Sequence, residues 1–271
     1  MKISRRAKII LGAFTGIVLI FIYLPLAVVV INSFNPSRTF SWPPSSLSTV
    51  WWTRVFHSDG VIPALLTSLK AGLGATVISV ILGSFIAFAV ARYDFFAKNT
   101  ISLLVVLPIA LPGIVTGIAL NSAFNAVLQP LGIGLGLATV IIGHATFCIV
   151  IVYNNLLARL RRMGNSLEEA SSDLGASTFQ TFAFVTFPII RSALVAGGLL
   201  AFALSFDEIV VTTFTSGASV QTLPQWIFNN LFRPNQAPIV NVVATMMLVA
   251  FILPVWLSQR LSEGSAVGSR L

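Results

Sequence analysis

The sequence holds a single cysteine, Cys148, inside an apolar stretch. That excludes a disulfide framework and a cysteine-based metal cluster, and leaves packing as the role of the side chain. Charge is also scarce: only 9% of the 271 residues are Asp, Glu, Lys or Arg, against roughly 25% in a soluble domain. No phosphate-cradling G-x-x-x-x-G-K-[ST] loop is present, so the chain does not bind ATP in that way. Nothing in the sequence brings Ser, His and Asp together as a nucleophile with its base. What is abundant is apolar sequence, 56% of the residues, with a mean hydropathy of +0.93. This is the composition of a membrane protein.

The net charge of +8 suggests nucleic acid only until the basic residues are placed against apolar runs. A bilayer core of about 30 Å needs roughly 20 apolar helical residues, because lipid satisfies no backbone polar group. Six segments qualify, at 9–31, 71–90, 101–120, 138–157, 192–211 and 242–261. Lys2, Arg5, Arg6 and Lys8 precede the first run in the manner of a signal peptide. That run is too long for a signal core of about 7–15 residues and no small-residue cleavage site follows, so it is read as a retained helix. With the N-terminus inside, the inner segments carry Lys2, Arg5, Arg6, Lys8, Arg92, Lys98, Arg159, Arg161, Arg162, Arg191, Arg260 and Arg270. The outer ones carry Arg38, Arg54, Lys70 and Arg233. This bias puts both termini in the cytoplasm and makes the basic charge topological, leaving no nucleic-acid role.

The outer segment near 32–69 contains Trp42, Pro43, Pro44, Trp51 and Trp52, which suit a short interfacial element. A second outer segment, 212–241, has Gly217, Pro224, Pro234 and Pro238 around an apolar patch of Leu223, Trp226, Ile227 and Leu231, and predicts a turn, a short helix and a turn. In the third span Pro108, Pro112 and Gly113 either free a carbonyl toward an internal cavity or make a packing kink.

Between the fourth and fifth spans the segment 159–191 is long for so economical a chain. Asn165 or Ser166 is placed to cap a helix, and Glu168 and Glu169 favour its positive end. Leu167, Ala170 and Leu174 share a face, and Gly175 supplies a stop. Phe179, Phe182, Phe184, Val185 and Phe187 then form a stretch too apolar for water, closed by Pro188 ahead of the next span. A short helix, a glycine turn and a second apolar helix make a projection suited to a groove on another protein.

Glu169, Ala170 and Ser171, then Gly175, then Val185, Phe187 and Pro188 resemble, at matching spacing, the EAA loop of ABC importer permeases. Ser171 stands for the second alanine, Val185 for the usual isoleucine and Phe187 for the usual leucine. The resemblance implies an all-α, six-span permease of the type I ABC importer (MetI-like) fold, and it covers nearly the whole chain. Residues 1–61 then form the first helix and outer segment, 62–261 the permease domain with the coupling loop at 165–190, and 262–271 a cytoplasmic tail. The ATPase-coupling residues are Glu168, Glu169, Ala170, Ser171, Gly175, Val185, Phe187 and Pro188. The implied partners are two copies of a cytoplasmic ATPase, which holds ATP and Mg2+, a second and different permease, and a solute-binding protein outside. This chain is then not itself an enzyme and binds no cofactor.

Segments 94–99, 107–117, 143–148 and 202–213 are similar to polyamine-type importer permeases serving putrescine and spermidine. From the residues themselves, Asp207 and Glu208 lie roughly 25 Å beyond Arg191 along a helix rising about 1.5 Å per residue. An ionisable group at that depth faces a cavity or a partner. A carboxylate there suits a polyamine ammonium, whereas pairing with Lys70 would only fix two helices, and Lys70 can equally snorkel to the interface. His144 reads as a relay, a ligand or a helix–helix hydrogen bonder. Asn121 and Asn125 either line an exit or serve as caps. A stand-alone secondary transporter would show paired repeats with coupling-ion groups, and a membrane enzyme would show clustered polar residues at one interface. The sequence has neither pattern.

Overall fold

The computed structural model describes residues 4–38, 42–233 and 235–267, the side chains of 253–255 and 257–267 excepted. Lys2, Pro234, Arg270 and the side chain of Arg260, used above, lie outside these. The chain divides into two compact units, 1–62 with 227–249 and 63–226 with 250–271. Among the described residues all regular structure is helical.

The first helix, α1, runs Arg5–Ser33, and its large apolar side chains from Ile9 to Leu26 are exposed. A helix apolar on every side takes lipid or another apolar surface as its solvent. The short helix α2 covers Val50–Arg54. Its Trp51 is not the headgroup anchor expected. It is 4% exposed, its indole N–H donates to the Asn35 carbonyl at 3.0 Å, and the Arg54 guanidinium lies 5.1 Å from its ring. A bulky aromatic with a polar edge is more useful here as a local core than at a lipid surface.

Helices α3 (Val61–Arg92), α6 (Leu137–Met163) and α9 (Phe187–Phe206) build the centre of the second unit. Ala87 and Val90 meet Tyr153, Leu156, Leu160 and Ile190 in one buried cluster. Small residues allow the approach, since without a water-driven force helices in lipid associate by close contact. A Cβ at Gly83 would stand 3.0 Å from the Ile149 carbonyl oxygen. Buried Cys148 packs as expected, its thiol 3.3 Å from the Ala201 carbonyl.

The expected third span is two helices, α4 (Lys98–Ala110) and α5 (Gly113–Val127), with Leu111 extended between them. Proline disfavours the helical conformation of the residue before it, so Pro112 converts the expected bend into a break. Pro108 is carried inside α4. The loop after α6 contains α7 (Ser166–Asp173) and α8 (Thr178–Thr181). Pro188 does not close α8 off from the membrane helix. A π turn at Phe182–Thr186 joins α8 to α9, with the Phe187 N–H reaching Phe182. The wider turn carries the helix past a proline that lacks an N–H and would crowd the preceding turn.

The fifth span also differs, because α9 stops at Phe206 and a separate helix, α10, runs Val210–Thr215. A turn and α11 (Leu223–Asn230) follow as expected, with Leu223 and Trp226 buried. The last helix, α12, spans Ala237–Val267 and takes up most of the tail expected at 262–271. Among the described residues five helical stretches are long and apolar enough to cross a membrane: Arg5–Ser33, Val61–Arg92, Gly113–Leu131, Leu137–Met163 and Thr178–Phe206.

Candidate functional site

Two groups of sequence-selected residues come together in the second unit. The first is the projection after α6. The chain turns at Gly164, whose φ is +69, into α7. Asn165 sits at the cap without using its side chain, and its carbonyl accepts the N–H groups of Glu168 and Glu169. At the other end Gly175 adopts φ +84. Its N–H donates to the Ser172 carbonyl at 2.9 Å, and the Ala176 N–H donates to Ser171 at 3.1 Å. This pair of bonds is the Schellman stop, which needs a left-handed residue. Ser177 and Gln180 then cap α8 reciprocally.

The projection is apolar on its outer side. Leu174 is 89% exposed, Phe179 77% and Phe184 78%. Ser171, Leu174, Gly175, Ala176, Gln180 and Phe184 line a groove of about 340 Å³. Glu169, Ala170 and Pro188 are also exposed, while Val185 is half-buried. Phe182 and Phe187 are less exposed, at 41% and 44%, and form a short aromatic row, Phe182 meeting Phe88 edge-on at 5.9 Å and Phe187 at 6.1 Å. Ser171, the departure from the second alanine, has a local use: its hydroxyl lies 3.0 Å from that of Thr181 and ties α7 to α8.

The two loop glutamates separate. Glu169 points outward. Glu168 turns inward, with Oε2 at 2.7 Å from Arg92 Nε and Oε1 accepting from the Thr186 hydroxyl at 2.7 Å. Sequence reasoning placed Arg92 only as a topological charge and missed Thr181 and Thr186. Nothing local marks Arg92 as the partner of Glu168, some 75 positions away, and the two threonines lie within the loop with no pattern that sets them apart.

The second group surrounds the break between α9 and α10. His144 is buried, with Nδ1 2.8 Å from the Ser205 hydroxyl and Nε2 2.8 Å from that of Thr212. The Thr212 proton is given to the Glu208 carbonyl at 2.7 Å. Nε2 therefore donates to Thr212, and Nδ1 accepts from Ser205. One imidazole thus spans the two sides of the break, which agrees with the helix-bonding reading of His144. Its partners are Ser205 and Thr212, and neither stood out in the sequence. Glu208 Oε1 accepts the Val211 N–H at 2.9 Å and so caps α10. Asn121 donates to the Phe214 carbonyl at 2.6 Å, which uses it as a helix tie. Asp207 is exposed in the break. The ion pairs among the described residues are Arg92–Glu168 and Lys98–Asp94, so the expected Lys70 pairing with Asp207 or Glu208 does not form. With α9 ended at Phe206, the Glu208 carboxylate is spent on a backbone N–H.

His144→Leu leaves the buried Ser205 hydroxyl without its partner, at a cost of roughly 1–3 kcal/mol. Thermal denaturation in detergent is expected to show a clear loss for that variant. A smaller loss is expected for His144→Gln, which keeps a donor and an acceptor. Equal stability of His144→Leu and wild type would refute the bridging role.

A family model described as binding-protein-dependent transport system inner membrane component matches residues 79–264. The spermidine/putrescine transport system permease protein PotC of Haemophilus influenzae is 34% identical over 93% of this chain and 96% of its own length. The putrescine transport system permease protein PotI of Escherichia coli is 34% identical over 90% and 86%. PotC of Escherichia coli is 30% identical over 97% of each chain. Among solved structures, a bacterial ABC transporter involved in the import of the acidic polysaccharide alginate contains a chain that superposes with TM-score 0.71 at 17% identity, covering 96% of this chain and 99% of that one. The MetNI methionine ABC transporter contains one with TM-score 0.57 at 17% identity, covering 77% and 99%. These two show the fold alone, that of ABC importer permeases. In such systems ATP hydrolysis belongs to a separate subunit. With its apolar helices and a family match over most of its length, the chain belongs to the multi-pass inner-membrane components of binding-protein-dependent transport systems.

Proposed function

We propose that this chain is one of two different permease subunits in an ATP-driven importer of polyamines such as putrescine or spermidine. The observation that carries this reading is identity of 30–34% over nearly the full length of permeases named for those substrates. Fold does not supply it, since the same architecture serves an alginate importer and a methionine transporter. The α7–α8 projection docks on a homodimeric cytoplasmic ATPase that carries ATP and Mg2+, through Leu174, Phe179, Phe184 and outward Glu169. A solute-binding protein delivers substrate from outside. The helix α12 serves as the sixth span, with both termini cytoplasmic, and its apolar stretch at Ala237–Ile252 supports that placement.

Asp207 is the residue proposed to meet the substrate ammonium. It is exposed, sits where α9 is broken and has no ion-pair partner among the described residues. A broken helix inside a bundle is tolerated where it lines a cavity. Uptake of labelled putrescine and spermidine by cells with and without the chain tests the reading, with the other subunits expressed. Loss of uptake without the chain, and at least a several-fold fall for Asp207→Asn, is expected. Undiminished polyamine uptake without the chain would move the assignment to another small organic solute. Unchanged affinity and rate for Asp207→Asn would remove the direct contact alone.

A further inference from the structure

The helix α7 has eight residues and hangs between two glycines, Gly164 at φ +69 and Gly175 at φ +84. A helix so short is marginal by itself, and glycines in the left-handed region are soft joints. If nothing else held α7, a push from a docked partner would be absorbed at those joints. The Ser171–Thr181 contact ties α7 to α8, and three further contacts, two of them from α3, converge on Arg92 and Glu168. Arg92 Nε is 2.7 Å from Glu168 Oε2, and the side chains are only 13% and 20% exposed. Arg92 Nη2 donates to the carbonyl of Gly164, the first joint, at 3.0 Å. Glu168 Oε1 accepts from Thr186, the last residue of the π turn at the root of α9.

We propose that Arg92 and Glu168 form a latch that makes α7 rigid with the cytoplasmic end of α3 and the root of α9, so that ATPase movement reaches both membrane helices. The guanidinium suits this because it donates in a fixed direction through Nη2 to the Gly164 carbonyl while its charge, at Nε, lies against the Glu168 carboxylate as an ion pair without hydrogen-bond alignment. The stabilising worth of a partly exposed ion pair is small, about 0–1 kcal/mol. Its consequence is geometric: while the contacts hold, α7 moves with α3 and α9. Arg92 and Glu168 are positioning residues, apart from the outward surface that meets the ATPase.

The inference rests on the reading of α7–α8 as the ATPase dock, and its test keeps the two apart. The complete transporter, with its second permease, ATPase and binding protein, is reconstituted in liposomes, and putrescine uptake and ATP hydrolysis are measured together. Arg92→Gln and Glu168→Gln are expected to lower uptake per ATP about tenfold while hydrolysis stays near wild type, a loss within the usual 5–150-fold range of coupling between sites. Arg92→Lys is expected to fall between, and the exchange Arg92→Glu with Glu168→Arg to recover part of the ratio. Thr186→Val, which leaves the ion pair in place, is expected to lower the ratio by a smaller factor and decides the matter if the charge variants fail to assemble. A wild-type ratio in Thr186→Val together with whichever charge variants assemble overturns the latch, as does a parallel fall of uptake and hydrolysis. Gly175→Asp is the reference. If it uncouples while the latch variants do not, the latch alone is wrong, and if it couples normally the docking reading fails.

Discussion

Gly175→Asp is expected to leave the chain inserted at normal abundance and to abolish ATP-driven uptake. In this chain a Cβ at Gly175 has nothing within 4 Å, so no side chain or backbone has to move. The backbone cost is that of a left-handed L-residue, roughly 1–2 kcal/mol, and Asp tolerates that region better than most residues. What changes is the groove. The new carboxylate enters the space between Leu174, Ala176 and Phe184, where an apolar partner surface would have to strip it of water. An unpaired desolvated charge is among the costliest groups at an interface. Gly175→Asn shares the backbone demand without the charge and should retain part of the uptake. Measuring uptake beside immunodetected membrane abundance separates docking from folding. Full uptake by Gly175→Asp at normal abundance would contradict the coupling role of the loop.

The second large effect is expected at Gly217, and there the cause lies inside the chain. Its φ is +65, and a Cβ would stand 2.7 Å from the Leu135 carbonyl oxygen and 3.1 Å from its carbon. Backbone on both sides leaves no flexible side-chain end to yield. Gly217→Val adds a β-branched side chain to a region of φ that such residues rarely enter. Relief requires moving the end of α10, which Thr139 holds by donating to the Thr215 carbonyl at 2.7 Å and Asn121 through Phe214. Strain and broken ties together should exceed about 3 kcal/mol, the scale of the severe single substitutions. The expected results are low membrane abundance and a lowered Tm in detergent, milder for Gly217→Ala. Gly134→Ala, where a Cβ meets nothing within 4 Å, should be neutral. A normal Tm for Gly217→Val would show that 135–136 and 217 move apart freely.

The two glycines show how legibility varied along the chain. Gly175 was readable as a stop because the helix before it and the apolar run after it are contiguous in sequence. Gly217 was visible as a breaker, but its close approach to Leu135 depends on a contact 82 positions away. The EAA-like loop was likewise legible as a string, whereas the division of labour between Glu168 and Glu169 was not. Adjacent helical residues differ by about 100° in direction, and which one faces Arg92 depends on where α3 ends.

The sequence by itself determined the membrane environment, the rough place of most long apolar helices though not their number, the basic asymmetry of the loops and the apolar projection after α6. These follow from composition, run length and local spacing, which need no knowledge of neighbours. Only the tertiary structure decided that α4 and α5 are separate, that α9 passes through Pro188 on a π turn and breaks at Asp207, and that His144 bridges that break. It also decided that Glu208 caps α10 instead of meeting Lys70. In each case the outcome depends on long-range hydrogen-bond partners, since a helix ends, widens or continues according to which groups can satisfy its freed backbone.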